Sequence, residues 1–158
     1  MASQTGRTNA KWIQVFLSNS SGTLTEITSY VRSVGTLGLT YDTSDVTAYS
    51  DFVKNFTVGQ PGAPIQISGP FDTTLYAMMI AYSTTGRTTI SGWGLSFDVR
   101  IGIQHAWTTG EPVFGITGSA NSGYQITSFQ VDTSAMTWSA TLEVVGPTAP
   151  QWLTISHT

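Results

Sequence analysis

The stretch Leu95-Ser96-Phe97-Asp98-Val99-Arg100-Ile101-Gly102-Ile103 alternates apolar and polar or small residues without a break. Successive side chains of a β-strand point to opposite faces. Leu95, Phe97, Val99, Ile101 and Ile103 therefore lie on one face, toward a core, and Ser96, Asp98, Arg100 and Gly102 on the other. Met136 to Val145 repeats the pattern, with Met136, Trp138, Ala140, Leu142 and Val144 inward and Thr137, Ser139, Thr141 and Glu143 opposite. Tyr124 to Val131 precedes it, and Asp132-Thr133-Ser134 between the two has hairpin-turn chemistry.

Working outward, Val113 to Thr117 and Thr88 to Ile90 are further short strands. In the first half, Lys11 to Leu17 (KWIQVFL) is rich in β-formers on both faces, which predicts a strand covered on both sides. Thr23 to Thr28 is a second strand. Val34 to Tyr41 is a third, weakened by Gly35 and Gly38. Phe52 to Val58 alternates again, and Gly59 to Pro64 carries enough breakers to predict a turn. Ile65 to Ser68 is short and ends at Gly69-Pro70.

One helix interrupts this pattern. Leu75, Met78, Met79 and Tyr82 fall at i, i+3, i+4 and i+7, which predicts a helix over about 73–82, capped by Asp72 or Thr73 and burying its methionines. The fold class is thus mainly β: a sandwich or barrel of short antiparallel strands with one flanking α-helix. Residues 1–10 are polar and aperiodic and are read as a flexible arm, and 11–158 as a single β-sandwich domain. No apolar leader follows Met1 and no stretch is long enough to span a bilayer, so a soluble protein made in a cytoplasm is expected.

Composition narrows the function. Charged residues are 9% of the chain, against about 25% in ordinary globular domains. Aromatics reach 11%. Subunit interfaces deplete charge and enrich aromatics, so self-association is expected. Net charge is −3, and the six basic residues (Arg7, Lys11, Arg32, Lys54, Arg87, Arg100) are scattered. No stripe exists for a phosphate backbone or an anionic membrane, so neither sequence-specific nucleic acid nor a membrane is expected as partner.

Chemistry is sparse. There is no cysteine, and of the two histidines His157 is penultimate. His105 in a loop could act as a base, but a lone loop histidine is more often a surface or interface residue. No nucleophile elbow, zinc motif or phosphate loop is present. No catalytic residue, metal ligand or cofactor site is assigned, and the chain is read as non-enzymatic. Asp42, Asp45 and Asp51 lie within ten residues, as hard-cation ligands often do. They lack the EF-hand spacing and have Lys54 nearby, so an interface or solvated loop is the better reading. The Asn19 and Asn55 glycosylation triplets are taken as chance matches. Trp93 and Trp107 are candidate exposed aromatics, able to stack on sugars in a carbohydrate-binding module or to anchor a protein interface.

Three segments carry a family resemblance. Val46-Thr47-Ala48-Tyr49-Ser50-Asp51 has the form V-T-x-[YF]-x-D, and Lys54-Asn55-Phe56-Thr57-Val58-Gly59 the form K-x-F-x-x-G. Ile65-Gln66-Ile67-Ser68-Gly69-Pro70-Phe71-Asp72 has the form I-x-[IL]-x-G-x-[FY]-D. In this order, before a helix, they resemble the tail-tube-type (major tail) proteins of long-tailed phages over roughly residues 12–82. The resemblance implies a virion structural protein in stacked hexameric rings, with the polar loop Tyr41 to Lys54 meeting the next ring. Its candidate inter-subunit residues are Asp42, Asp45, Tyr49, Asp51, Phe52 and Lys54, with cations such as Arg32 or Arg100 of a neighbour facing the carboxylates. The same scaffold serves capsid decoration or cement proteins, which is the alternative. Partners are other copies and other virion proteins, and the location is the virion.

Overall fold

The computed structural model describes residues 6, 10–18, 22–80, 94–119 and 122–156. The arm at 1–10 falls almost wholly outside the described residues, as do the strand expected at 88–90, the last two residues of the expected helix, and Trp93.

Eleven strands and one α-helix are described. They are β1 (Ile13–Ser18), β2 (Leu24–Glu26), β3 (Ser33–Val34), β4 (Thr40–Asp45), β5 (Phe56–Gly62), β6 (Ile65–Pro70), α1 (Thr73–Ile80), β7 (Phe97–Ile101), β8 (Val113–Ile116), β9 (Gly123–Asp132), β10 (Thr137–Val145) and β11 (Gln151–Leu153). A five-stranded antiparallel sheet runs β11-β8-β7-β1-β2, a four-stranded sheet runs β3-β6-β10-β9, and β4 and β5 form a hairpin of their own.

The two larger sheets form a β-sandwich. Val15, Leu17, Phe97, Val99 and Phe114 from one meet Ile65, Ile67, Trp138, Ala140 and Leu142 from the other. The alternation read from the sequence produces this core, because each strand contributes every second residue. α1 adds Leu75 and Met79, both buried, so the methionine pair serves the core as expected. Its start is capped by Asp72, whose Oδ1 accepts the Thr74 N–H at 2.7 Å.

Three local expectations are corrected. The polar face of β7 is buried: Asp98 is 0% and Ser96 7% exposed. The loop after β7 folds back over that face, and the Arg100 guanidinium lies 3.6 Å from the Asp98 carboxylate and 3.8 Å from the Phe16 ring centroid. Met136 is not an inward strand residue. It is exposed, with φ +51°, and closes the β9–β10 turn. The turn is formed by Asp132, whose carboxylate accepts the Ser134 and Ala135 N–H groups. The segment Gly59–Gly62, read as a turn, is the second half of β5, and residues 52–55, read as strand, belong to the hairpin tip. Proline is tolerated in β5 because the hairpin has only two strands.

Candidate assembly interface

The hairpin β4–β5 departs from the rest of the fold in one respect: every residue of both strands is exposed. Its root is anchored. Leu37 and Leu39 pack on the core before β4, and Ala63 is buried after β5. The Tyr124 hydroxyl donates to the Ala63 carbonyl at 3.0 Å. Beyond that root the strands pair only with each other, Thr43 opposite Val58 and Asp45 opposite Phe56, with a bulge between Tyr41 and Thr43.

The expected polar loop Tyr41 to Lys54 is therefore a strand followed by a structured tip. Residues 41–45 belong to β4, and the tip spans 46–55. Thr47 organises one side of it. Its N–H donates to Asp45 Oδ1 at 2.9 Å, and its hydroxyl lies 2.6 Å from that oxygen while accepting the Asn55 N–H at 2.8 Å. Asp51 Oδ2 organises the other, accepting the Ala48 N–H at 2.8 Å and the Asn55 side-chain amide at 2.9 Å. Hydrogen bonds to an ionised carboxylate favour the charged form. Asp45 is accordingly held below its ordinary range chiefly by the Thr47 hydroxyl, and Asp51 chiefly by the Ala48 N–H. Lys54 Nζ lies 3.7 Å from Asp45 Oδ2. Two of the three carboxylates thus shape the tip itself, and the expectation that all three face a neighbour's cations is narrowed to that extent.

What the tip presents is apolar. Tyr49 and Phe52 are 112% and 104% exposed, and Tyr41, Val46, Val53, Phe56 and Val58 are all exposed along the same hairpin. A lone two-stranded hairpin is marginally stable in water, and contiguous exposed apolar surface marks an interaction site. The sequence reading named Tyr49 and Phe52 but missed Val46, Val53, Phe56 and Val58 as surface. No alternation marks them as exposed, since Val46 and Val53 lie in the tip and residues 59–62 are Gly-Gln-Pro-Gly.

The other candidates are placed elsewhere. Trp107 is half-buried: its indole N–H donates to the Glu111 carbonyl at 3.0 Å and its ring lies 5.3 Å from the Arg100 guanidinium. It is not an open stacking platform, because the loop that carries it wraps around buried Glu111. Arg100 is likewise engaged within the fold, by Asp98 and Phe16, and is not the exposed cation the sequence reading took it for. His105 Nδ1 is 2.7 Å from the Ala106 carbonyl, and Nε2 lies 3.2 Å from the Glu111 carboxylate but makes no hydrogen bond. Among the described residues no three His, Asp or Glu side chains are grouped to hold a metal ion, and no helix is long and apolar enough to cross a membrane.

No protein-family model matches the chain, and no curated protein matches it. Solved structures do. A chain of the anti-feeding prophage cap structure (tube terminating cap) superposes with a TM-score of 0.57 at 13% identity, over 98% of this chain and 96% of that one. A chain of an extracellular contractile injection system, from the PVC sheath-tube complex in its extended state, gives 0.57 at 14% identity, over 94% and 93%. A chain of the anti-feeding prophage baseplate gives 0.55 at 10%, over 95% and 97%. Nearly the whole chain therefore has a fold found in structures of phage-tail-like contractile injection systems.

Proposed function

We propose that this protein is a non-enzymatic structural subunit of a phage-tail or tail-like particle, and that it is a tube subunit assembling into stacked rings. The observation that carries the reading is the β4–β5 hairpin, a preorganised, apolar-tipped arm with no role in the core. Self-association gives such an arm its buried partner. The fold shared with tube-cap, sheath-tube and baseplate components supports the same class of particle.

Two features of the four-stranded sheet support the ring. Its edge strand β9 is ten residues long, is bridged near its start by Leu95 at Tyr124, and beyond that bridge contains no Lys or Pro to guard it. Long unguarded edges pair with other chains, so joining β9 of one copy to β3 of the next would close a ring of cyclic symmetry. The face turned away from the core carries Gln66, Ser68, Gln130, Ser139 and Thr141, and β3, β6, β9 and β10 contain no Lys or Arg. A channel lined by that face would let nucleic acid pass without forming phosphate contacts.

Electron microscopy of the purified protein tests the reading. Rings or stacked rings are expected as concentration rises. A chain that remains monomeric at every concentration up to its solubility limit contradicts it. Gold-labelled protein on the head of the parent particle, and none on its tail, would replace the tube with a decoration role.

A further inference from the structure

We propose that the loop between β7 and β8, residues 102–112, is a proton-dependent cover over the outer face of the five-stranded sheet, with His105 as its latch. The loop is seated at both ends. The Gly102 N–H donates to the Trp12 carbonyl at 3.0 Å, and the Gly110 N–H to the Thr154 carbonyl at 3.0 Å. Beneath it lie Phe16 and the Arg100–Asp98 pair, on strand faces turned away from the core. The Arg100 guanidinium sits between the Phe16 ring at 3.8 Å and the Trp107 ring at 5.3 Å. Trp107 belongs to the loop, so lifting the loop uncovers both rings and the cation.

The latch follows from what each ring nitrogen of His105 faces. Nδ1 lies 2.7 Å from the Ala106 carbonyl. A carbonyl oxygen only accepts, so Nδ1 carries a hydrogen. Nε2 lies 3.2 Å from Oε1 of Glu111, whose side chain is buried and whose Oε2 accepts the Thr108 N–H at 3.1 Å. In the neutral ring Nε2 turns its lone pair toward that carboxylate, buried and with no hydrogen-bond partner. In the imidazolium both nitrogens carry hydrogen, and the positive ring faces the negative carboxylate. The charged groups on the elements beneath the loop are Asp98 and Arg100 of β7 and Lys11 before β1; the carboxylate in contact with the His105 ring is that of Glu111.

The loop is built to be released. Gln104, next to the latch, is held at a left-handed φ of +64°, a conformation that disfavours any side chain bearing a Cβ. Gly102 lets the loop fold tightly onto its own root, where a Cβ would meet the His105 carbonyl oxygen. As pH rises through the range in which histidine loses its charge, about 5 to 8, the attraction to Glu111 disappears and the conformation of Gln104 favours opening. The sandwich core, on the other side of β7, has no part in this step.

Hydrogen exchange of the isolated full chain at pH 5.5 and pH 8, each rate divided by that of an unstructured chain at the same pH, tests the proposal. Peptides covering 102–112 are expected to lose protection about ten-fold at the higher pH, the scale of one partly buried charge pair, while β10 stays protected at both. His105→Gln places a neutral amide where the ring stood and is expected to give the same loop protection at both pH values. Glu111→Gln, which removes the facing charge, should flatten the response as well; if that variant does not fold, His105→Gln carries the test alone. Equal loop protection at both pH values in the unmodified chain would overturn the proposal. So would a pH response that survives His105→Gln, or a loss in β10 that accompanies the loss in the loop.

Discussion

Replacing Tyr49 and Phe52 together by serine separates folding from assembly. Both side chains are fully exposed and no core residue packs on them. Surface substitutions of this kind change stability by no more than about 0.5 kcal/mol. In a chain of this length that is a shift in Tm of about 2 °C or less. Assembly should respond differently. Each aromatic ring can bury about 200 Å², which at about 25 cal/mol per Å² sets an upper bound near 5 kcal/mol per ring. Ordering costs reduce this, and interface hot spots typically lose about 2–4 kcal/mol on truncation. Even at 2 kcal/mol per ring, the association constant of each contact falls about 30-fold per substitution. Melting by circular dichroism, with sedimentation velocity on the same samples, reads both quantities. Unchanged assembly would refute the assignment of these rings as anchors. A Tm loss above about 5 °C would show that the tip belongs to the folding unit.

Further outcomes follow from contacts elsewhere in the fold and from the tip carboxylates. Tyr124→Phe removes the donor to the buried Ala63 carbonyl and should cost about 1–3 kcal/mol in chemical denaturation. Burial raises the Tyr124 hydroxyl above its ordinary 10.0. The folded state therefore binds the proton more tightly than the unfolded one, and stability should be intact below pH 10 and fall by about 1.4 kcal/mol per pH unit above it; the Phe variant should lack this component. Arg100→Ala removes the cation facing buried Asp98 and should destabilise by about 3 kcal/mol, whereas Met136→Gly relieves a left-handed φ and should stabilise by about 1 kcal/mol, both read by thermal melting. Asp45 and Asp51 are held below their ordinary 3.8 by tip hydrogen bonds, so tip order and assembly should persist down to about pH 4 and be lost as pH falls further, which light scattering across an acid titration would follow.

The sandwich was legible because its strands face a single core. A period-two pattern such as Leu95 to Ile103 needs no further information to place Phe97 and Val99 inside. What lay on the opposite face was not legible in the same way. Asp98 and Arg100 are two apart on one strand, hence on one side, and their spacing fitted a solvated face as well as a buried pair; only the returning loop with Trp107 and Glu111 decides between them. The hairpin was hidden for the opposite reason. It has no core, so burial imposes no pattern on it, and Gly59 and Pro61 look like chain breaks unless a strand with a single partner is envisaged. Even so, the exposure of Asp45, Tyr49, Asp51 and Phe52 was to be expected from the polar character of Tyr41 to Lys54. The bonding of Asp45 and Asp51 within the hairpin was not, because it depends on which way each carboxylate turns.

Hydrogen exchange read by mass spectrometry, on the isolated subunit and on the assembled particle, tests the central claim most directly. In the isolated chain the backbone of residues 46–55 is solvent-facing apart from its few tip hydrogen bonds, so exchange should be fast there and slow in the sandwich strands. On assembly, peptides covering 46–55 should gain strong protection, while β7, buried in both states, changes little. Unchanged exchange at the tip in well-formed particles would contradict the account.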